Sequence, residues 1–109
     1  MKNRMRPIHP GEILREEFLV PLGMSARELE FALDVPPNRV SSIVAEKRDI
    51  SADTALRLAK ALGTGPEVWL NLQQTYDLHK AELDRKANRS RVKVVLRAKA
   101  SGKAHAASR

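Results

Sequence analysis

The sequence predicts an all-α fold of five short helices, and three observations predict it. Apolar residues recur at helical spacing in five separate stretches. Pro, Gly, Ser and Asp residues of the kinds that start or stop helices fall between those stretches. Finally, Leu29 to Ile43 reads as two short helices joined by a tight turn, with Leu29, Leu33, Val35, Val40 and Ile43 inward. That spacing lets one helix cross another steeply over a small core. It is the unit that places a helix in the DNA major groove.

Each element has its own signals. Pro10 suits a first helical position, because its missing N–H is not needed there. Ile13, Leu14, Phe18 and Leu19 then recur at helical spacing, with Glu12, Arg15, Glu16 and Glu17 expected to face water. Pro21 and Gly23 are expected to close this helix at about Val20. Ser25 and Glu28 form a capping box for the second helix, whose buried stripe is Leu29, Ala32 and Leu33. Asp34 stands at the turn and tolerates the left-handed conformation better than most residues. Pro36-Pro37 is expected to open a third helix running to about Lys47, with Val40, Ile43 and Val44 inward.

Lys47-Arg48-Asp49 reads as a polar connector. Ser51 caps a fourth helix, Ala52 to Leu62, with Ala55, Leu56, Leu58, Ala59 and Leu62 as its apolar face and Gly63 as its C-cap. A longer fifth helix starts at Thr64-Gly65-Pro66-Glu67 and is expected to fray near Asn88. Val68, Trp69, Leu72, Tyr76 and Leu83 lie along or near one side of it. Arg91 to Arg97 alternates weakly, in the manner of a short strand without an obvious partner. Ala98 to Arg109 has the composition of a disordered end.

The 109 residues suffice for one domain and a modest core. With no Cys, there is neither a disulfide framework nor a thiolate metal site. No secretory signal pattern or membrane-length apolar run is present, so the expected location is the cytoplasm. The net charge of +7 is unevenly placed. Residues 1–84 carry 11 Lys+Arg against 13 Asp+Glu, whereas residues 85–109 carry nine Lys+Arg and no acid. A mildly acidic domain thus bears a strongly basic tail. Such tails either bind polyanions, nucleic acid first, or serve as solubilising ends.

The candidate functional residues point to recognition. Asn38 and Arg39 begin the third helix, whose N-terminal turn reaches base edges; Asn pairs with adenine, Arg with guanine or phosphate. Pro37 adjoins them, and Ser41 and Ser42 follow as small donors on the same exposed side. Ser25, Arg27, Lys47 and Arg48 are candidate phosphate contacts. Each also has an ordinary reading as a solvated polar group. Glu12 and Glu16 lie one helical turn apart, but no His stands at ligand spacing beside them. His79 and His105 are isolated. No nucleophile–base set, metal site or cofactor motif is visible, so no enzyme is expected. Trp69, Leu72 and Tyr76 form a stripe that reads as core or, because so long a helix exceeds what one subunit can cover, as a two-fold dimer interface.

Longer segments carry a family resemblance. They are His9-Pro10-Gly11-Glu12-Ile13-Leu14-Arg15-Glu16-Glu17-Phe18, Pro21-Leu22-Gly23-Met24-Ser25 and Val35-Pro36-Pro37-Asn38-Arg39-Val40. Ile50-Ser51-Ala52-Asp53-Thr54-Ala55-Leu56-Arg57-Leu58-Ala59, Gly63-Thr64, Trp69-Leu70-Asn71-Leu72-Gln73 and Tyr76-Asp77-Leu78 complete them. Over roughly residues 6–84 the chain resembles the HigA-type antitoxins of bacterial type II toxin–antitoxin systems. The resemblance implies a five-helix, lambda-repressor-like domain that dimerises, represses its own promoter and binds a HigB-like toxin, a ribosome-associated RNase that cuts mRNA. With the change of pattern beyond Asn88, residues 1–88 are expected to form the antitoxin domain, with a helix-turn-helix core at about 25–47, and residues 89–109 a basic tail. DNA binding would place the protein on the nucleoid.

The chain departs from the family pattern at three positions. Relatives usually have a small residue at Glu30, Gly at Asp34 and often Gly at Glu46. Glu30 is expected either to swing to solvent or to find a cation, since an unpaired buried carboxylate is costly. Together the departures suggest altered or weaker DNA binding. They leave open a toxin-binding protein with weakened DNA binding, beside the separate alternative of a stand-alone helix-turn-helix regulator with no toxin partner.

Overall fold

Helix α1 extends from Pro10 to Leu22 in three continuous pieces: Pro10–Ile13 is α-helical, Leu14–Leu19 is wound as a π-helix, and Val20–Leu22 is α-helical again. The computed structural model describes residues 6–84, 89 and 91–96. His9 caps α1 through its ring, Nδ1 accepting from the Gly11 N–H at 2.9 Å. Pro21 does not close the helix, contrary to expectation. A proline ring clashes with the carbonyl four residues back in an α turn, and the wider π winding before it relieves that clash. The stop is Gly23, in the left-handed conformation at φ 62°.

Helix α2 is Ala26–Leu33, and its capping box forms as the sequence predicts. Ser25 Oγ accepts from the Glu28 N–H at 3.0 Å, and Glu28 Oε1 accepts from the Ser25 N–H at 2.8 Å. Helix α3 is Arg39–Val44. Helix α4, Ala52–Leu62, starts at Ser51, whose hydroxyl accepts from the Thr54 N–H, and ends at Gly63 with φ 75°. Helix α5 is Pro66–Asp84.

The core gathers one or two residues from every helix: Leu14, Leu19, Leu29, Leu33, Val40, Ile43, Ala55, Leu58 and Trp69, with Ile50 from the connector. Trp69 has no solvent exposure, lies against Phe18 with ring centroids 5.3 Å apart, and donates its indole N–H to Thr64 Oγ1 at 2.9 Å. Gln73, one turn on, accepts from the buried Ile50 N–H at 2.7 Å and ties α5 to the segment after α3. Two stripe assignments are corrected. Ala32 is exposed while its neighbour Glu30 is buried, and Leu56 is 60% exposed. Val68 and Leu83 are likewise exposed on α5.

Among the described residues no strand forms. Val92, Val94, Val95 and Leu96 are exposed and unpaired by any sheet. The expected fraying near Asn88 and the disorder of Ala98 to Arg109 lie outside the described residues.

Candidate nucleic-acid interface

Helices α2 and α3 and the chain between them form a helix-turn-helix. Asp34 takes the left-handed conformation at φ 59° and ends α2. Pro37 disfavours the helical region for Pro36, so the prolines cannot open a helix as expected. They form the turn, with the Arg39 N–H donating to Pro36 O, and Asn38 reverses the chain at φ 71° before α3 begins at Arg39. The far end is shorter too. Glu46 sits in the left-handed region at φ 65°, and the Lys47 N–H closes back onto Ser42 O at 2.9 Å.

Glu30 neither swings to solvent nor finds a cation as its main partner. It is 6% exposed, and its Oε2 accepts from the Val40 N–H at 2.8 Å and the Ser41 N–H at 3.0 Å. Burial pushes the Glu30 carboxyl up, but the N–H groups of Ser41, Val40 and Asn38, helped by the Arg27 charge, outweigh it and hold the group below the usual carboxylate range. The sign follows. This stabilisation is complete above the ordinary Glu pKa of about 4.3 and is lost as pH falls through the lower folded value.

The opposite end of α3 meets a cation. Arg15, expected to face water, donates from Nη1 to Val44 O at 2.7 Å, is steadied by Glu16 Oε2 at 2.9 Å, and lies 4.0 Å from Glu46 Oε2. A carboxylate at the N-terminus and a guanidinium at the C-terminus both complement the helix dipole. Arg57 secures the turn itself, donating to Leu33 O at 2.8 Å and Asp34 O at 3.1 Å while Asp53 holds its Nε. Finally, Gly11 brings α1 against the α3 backbone so closely that a side chain there would strike the Ile43 carbonyl.

Asn38 is exposed and makes no capping hydrogen bond with its side chain. Arg39, Ser41 and Ser42 are half-buried along α3. Ser25 and Arg27, at the start of α2, share with Phe31, Val35 and Pro37 the wall of an open groove of about 670 Å³. Lys47 and Arg48 are exposed just beyond α3. Trp69 is not available to a dimer interface as expected, because its whole side chain is consumed by the core. Leu72 and Tyr76 are half-buried; Tyr76 meets the His9 ring edge-on at 4.8 Å. Glu12 pairs with Arg6 at 2.9 Å, and no metal-holding cluster occurs among the described residues.

Nothing in the sequence marks Arg15, Arg57 or Gly11 as supports of the site, and Glu30 stands out there as a departure from the family pattern. Glu30 left a trace: Ala26, Leu29, Glu30 and Leu33 follow the i, i+3, i+4, i+7 stripe, which puts a carboxylate on the core side. Glu46→Gly is expected to raise stability by about 1 kcal/mol, the cost of a non-glycine left-handed residue, read as a higher melting temperature.

A helix-turn-helix family profile matches residues 14–69. Virulence-associated protein I of Dichelobacter nodosus is 55% identical over 86 residues, which are 79% of this chain and 80% of that protein. Antitoxin HigA-1 of Vibrio cholerae is 42% identical over 77 residues, 71% of this chain and 72% of that one. The structure of Pseudomonas aeruginosa antitoxin HigA with the higBA promoter superposes with a TM-score of 0.79 at 43% identity, over 84% of this chain and 99% of that chain. Among the described residues no helix is long and apolar enough to cross a membrane. By its clamped helix-turn-helix and by these relatives, the chain belongs to the HigA-type antitoxin family, whose members are DNA-binding regulators and not enzymes.

Proposed function

We propose that this chain binds its own operator as a homodimer and represses transcription, and that it binds and neutralises a HigB-like mRNA-cleaving toxin in the bacterial cytoplasm. One observation carries the DNA half. Asn38 stands exposed at the head of α3 with its side chain uncommitted to capping, and Arg39 follows it. These are residue types that read adenine and guanine edges. Ser41 and Ser42 line the same helix, Pro37 adjoins its head, and Ser25, Arg27, Lys47 and Arg48 flank it for the phosphates. The relative solved with promoter DNA supports this use of the fold.

Pairing two copies sets their α3 helices against half-sites about one helical turn apart. Val68, Leu78 and Leu83 leave apolar surface on α5 for such a contact. Toxin binding rests on kinship with the antitoxins. Its test is capture and inhibition: the tagged product of an adjacent small gene is expected to retain this chain and to lose mRNA cleavage in its presence. A partner that neither retains it nor is inhibited leaves the stand-alone regulator.

The charge partition favours a second contribution, from the tail. Residues 85–109 hold nine cations without an acid, beside a domain that is slightly acidic. Deleting them is expected to weaken binding to all DNA and to flatten the slope of log K against log salt by about 0.9 for each phosphate no longer neutralised. Titration of full-length and truncated protein at two salt concentrations measures this.

A further inference from the structure

We infer that Glu30 is a positioning residue for operator reading: it caps the recognition helix from a neighbouring helix and thereby sets the pose of Asn38 and Arg39. The inference rests on the DNA-binding reading above and names the device that serves it.

A helix is ordinarily capped by the residue just before it. That residue lies in the extended region, and its side-chain oxygen accepts from the N–H of the second or third helical residue. Nothing local does so here. Asn38 occupies the capping position but is left-handed, at φ 71° and ψ −1°, and its side chain makes no capping bond. Pro36 and Pro37, before it, have no polar side-chain atom. The second and third residues of α3 are Val40 and Ser41, and both their N–H groups reach the same oxygen, Glu30 Oε2, at 2.8 and 3.0 Å. The cap therefore comes from α2, ten and eleven residues back along the chain.

Two consequences follow from that geometry. Val40 is fully buried, so its N–H has no water to turn to if α3 rotates or slides. Glu30 is itself buried on the inner stripe of α2, so a shift of α3 relative to α2 stretches both bonds. The two bonds thus fix α3 to α2 in one orientation. Secondly, the capping duty passes from Asn38 to Glu30, which leaves the Asn38 amide for a base edge. A small residue at position 30 forces a choice between an orphaned N-terminus and a locally capped turn.

The test compares full-length wild type, Glu30→Ala and Glu30→Gln by amide hydrogen exchange and by titration on the protein's own upstream DNA and on scrambled DNA of equal length. In Glu30→Ala the Val40 and Ser41 amides are expected to exchange at least about tenfold faster, and operator affinity to fall about tenfold or more, as loss of hydrogen bonds to a charged acceptor implies. Scrambled-DNA affinity is expected to hold within about twofold, because phosphate contacts do not depend on the pose of Asn38. Glu30→Gln keeps a carbonyl acceptor and is expected to recover most of the loss. Should Glu30→Ala fail to fold, Glu30→Asp keeps the charge but shortens the reach, and is expected to show the same selective loss. Unchanged exchange at Val40 and Ser41 overturns the cap. Parallel weakening on both DNAs in a folded variant overturns the positioning role while leaving the DNA-binding reading intact. Equal binding of both DNAs by the wild type overturns that reading, and the positioning role with it.

Discussion

Replacing Gly11 by alanine is expected to lower stability by about 1–3 kcal/mol, the usual cost of overpacking, and to weaken operator binding with it. The expectation runs against the local rule. Gly11 is the second residue of α1, and Gly→Ala inside a helix ordinarily stabilises by about 1 kcal/mol. The tertiary contact reverses the sign. A Cβ at Gly11 would overlap the Ile43 carbonyl oxygen and lie 2.7 Å from its carbon. Ile43 is fully buried and α3 is held at both ends, so that backbone cannot yield without moving Asn38 and Arg39. Thermal melting and operator titration of the variant measure the two effects. A more stable variant with full operator affinity contradicts the packing described here.

Trp69→Ala carries the largest expected loss of stability. Removing a fully buried tryptophan costs about 3–5 kcal/mol, against a total of about 5–15 kcal/mol for a domain of this kind. The deletion strips the ring that packs on Phe18 and orphans Thr64 Oγ1 of its indole donor. Melting at high dilution is the discriminating measurement. A core tryptophan lowers the melting temperature of the isolated subunit, whereas an interface tryptophan acts only where subunits associate.

Much of the fold was legible because its signals are local. Ser25 with Glu28, Ser51 and Gly63 each work within one turn of chain, and each does in the structure what its residue type predicts. The five helices follow from them and from the apolar spacing. Pro21 and Pro36 misled because a proline's effect depends on the winding or turn around it. In one case a π segment carries the helix through, and in the other a left-handed Asn38 delays the start.

The supports of the site were not legible, because they act across the sequence. Arg15 reaches Val44 over 29 residues, Arg57 reaches Leu33 over 24, and Gln73 reaches Ile50 over 23. No periodicity encodes such bonds. Glu30 shows the cost most clearly. As a departure from the family pattern it reads as damage to DNA binding, yet the structure gives it the first amides of α3. Trp69, by contrast, lies on a stripe of the kind that is usually core but can also serve an interface, and burial decides for core.

The measurement that bears most directly on the central claim is a titration of wild type, Asn38→Ala and Arg39→Ala on the protein's own upstream DNA against scrambled DNA. Each substitution is expected to cost about 1–3 kcal/mol on the operator, as loss of a base-reading side chain does. Asn38→Ala is expected to leave scrambled-DNA binding unchanged. Operator affinities equal to wild type in both variants contradict the claim that the head of α3 reads the DNA.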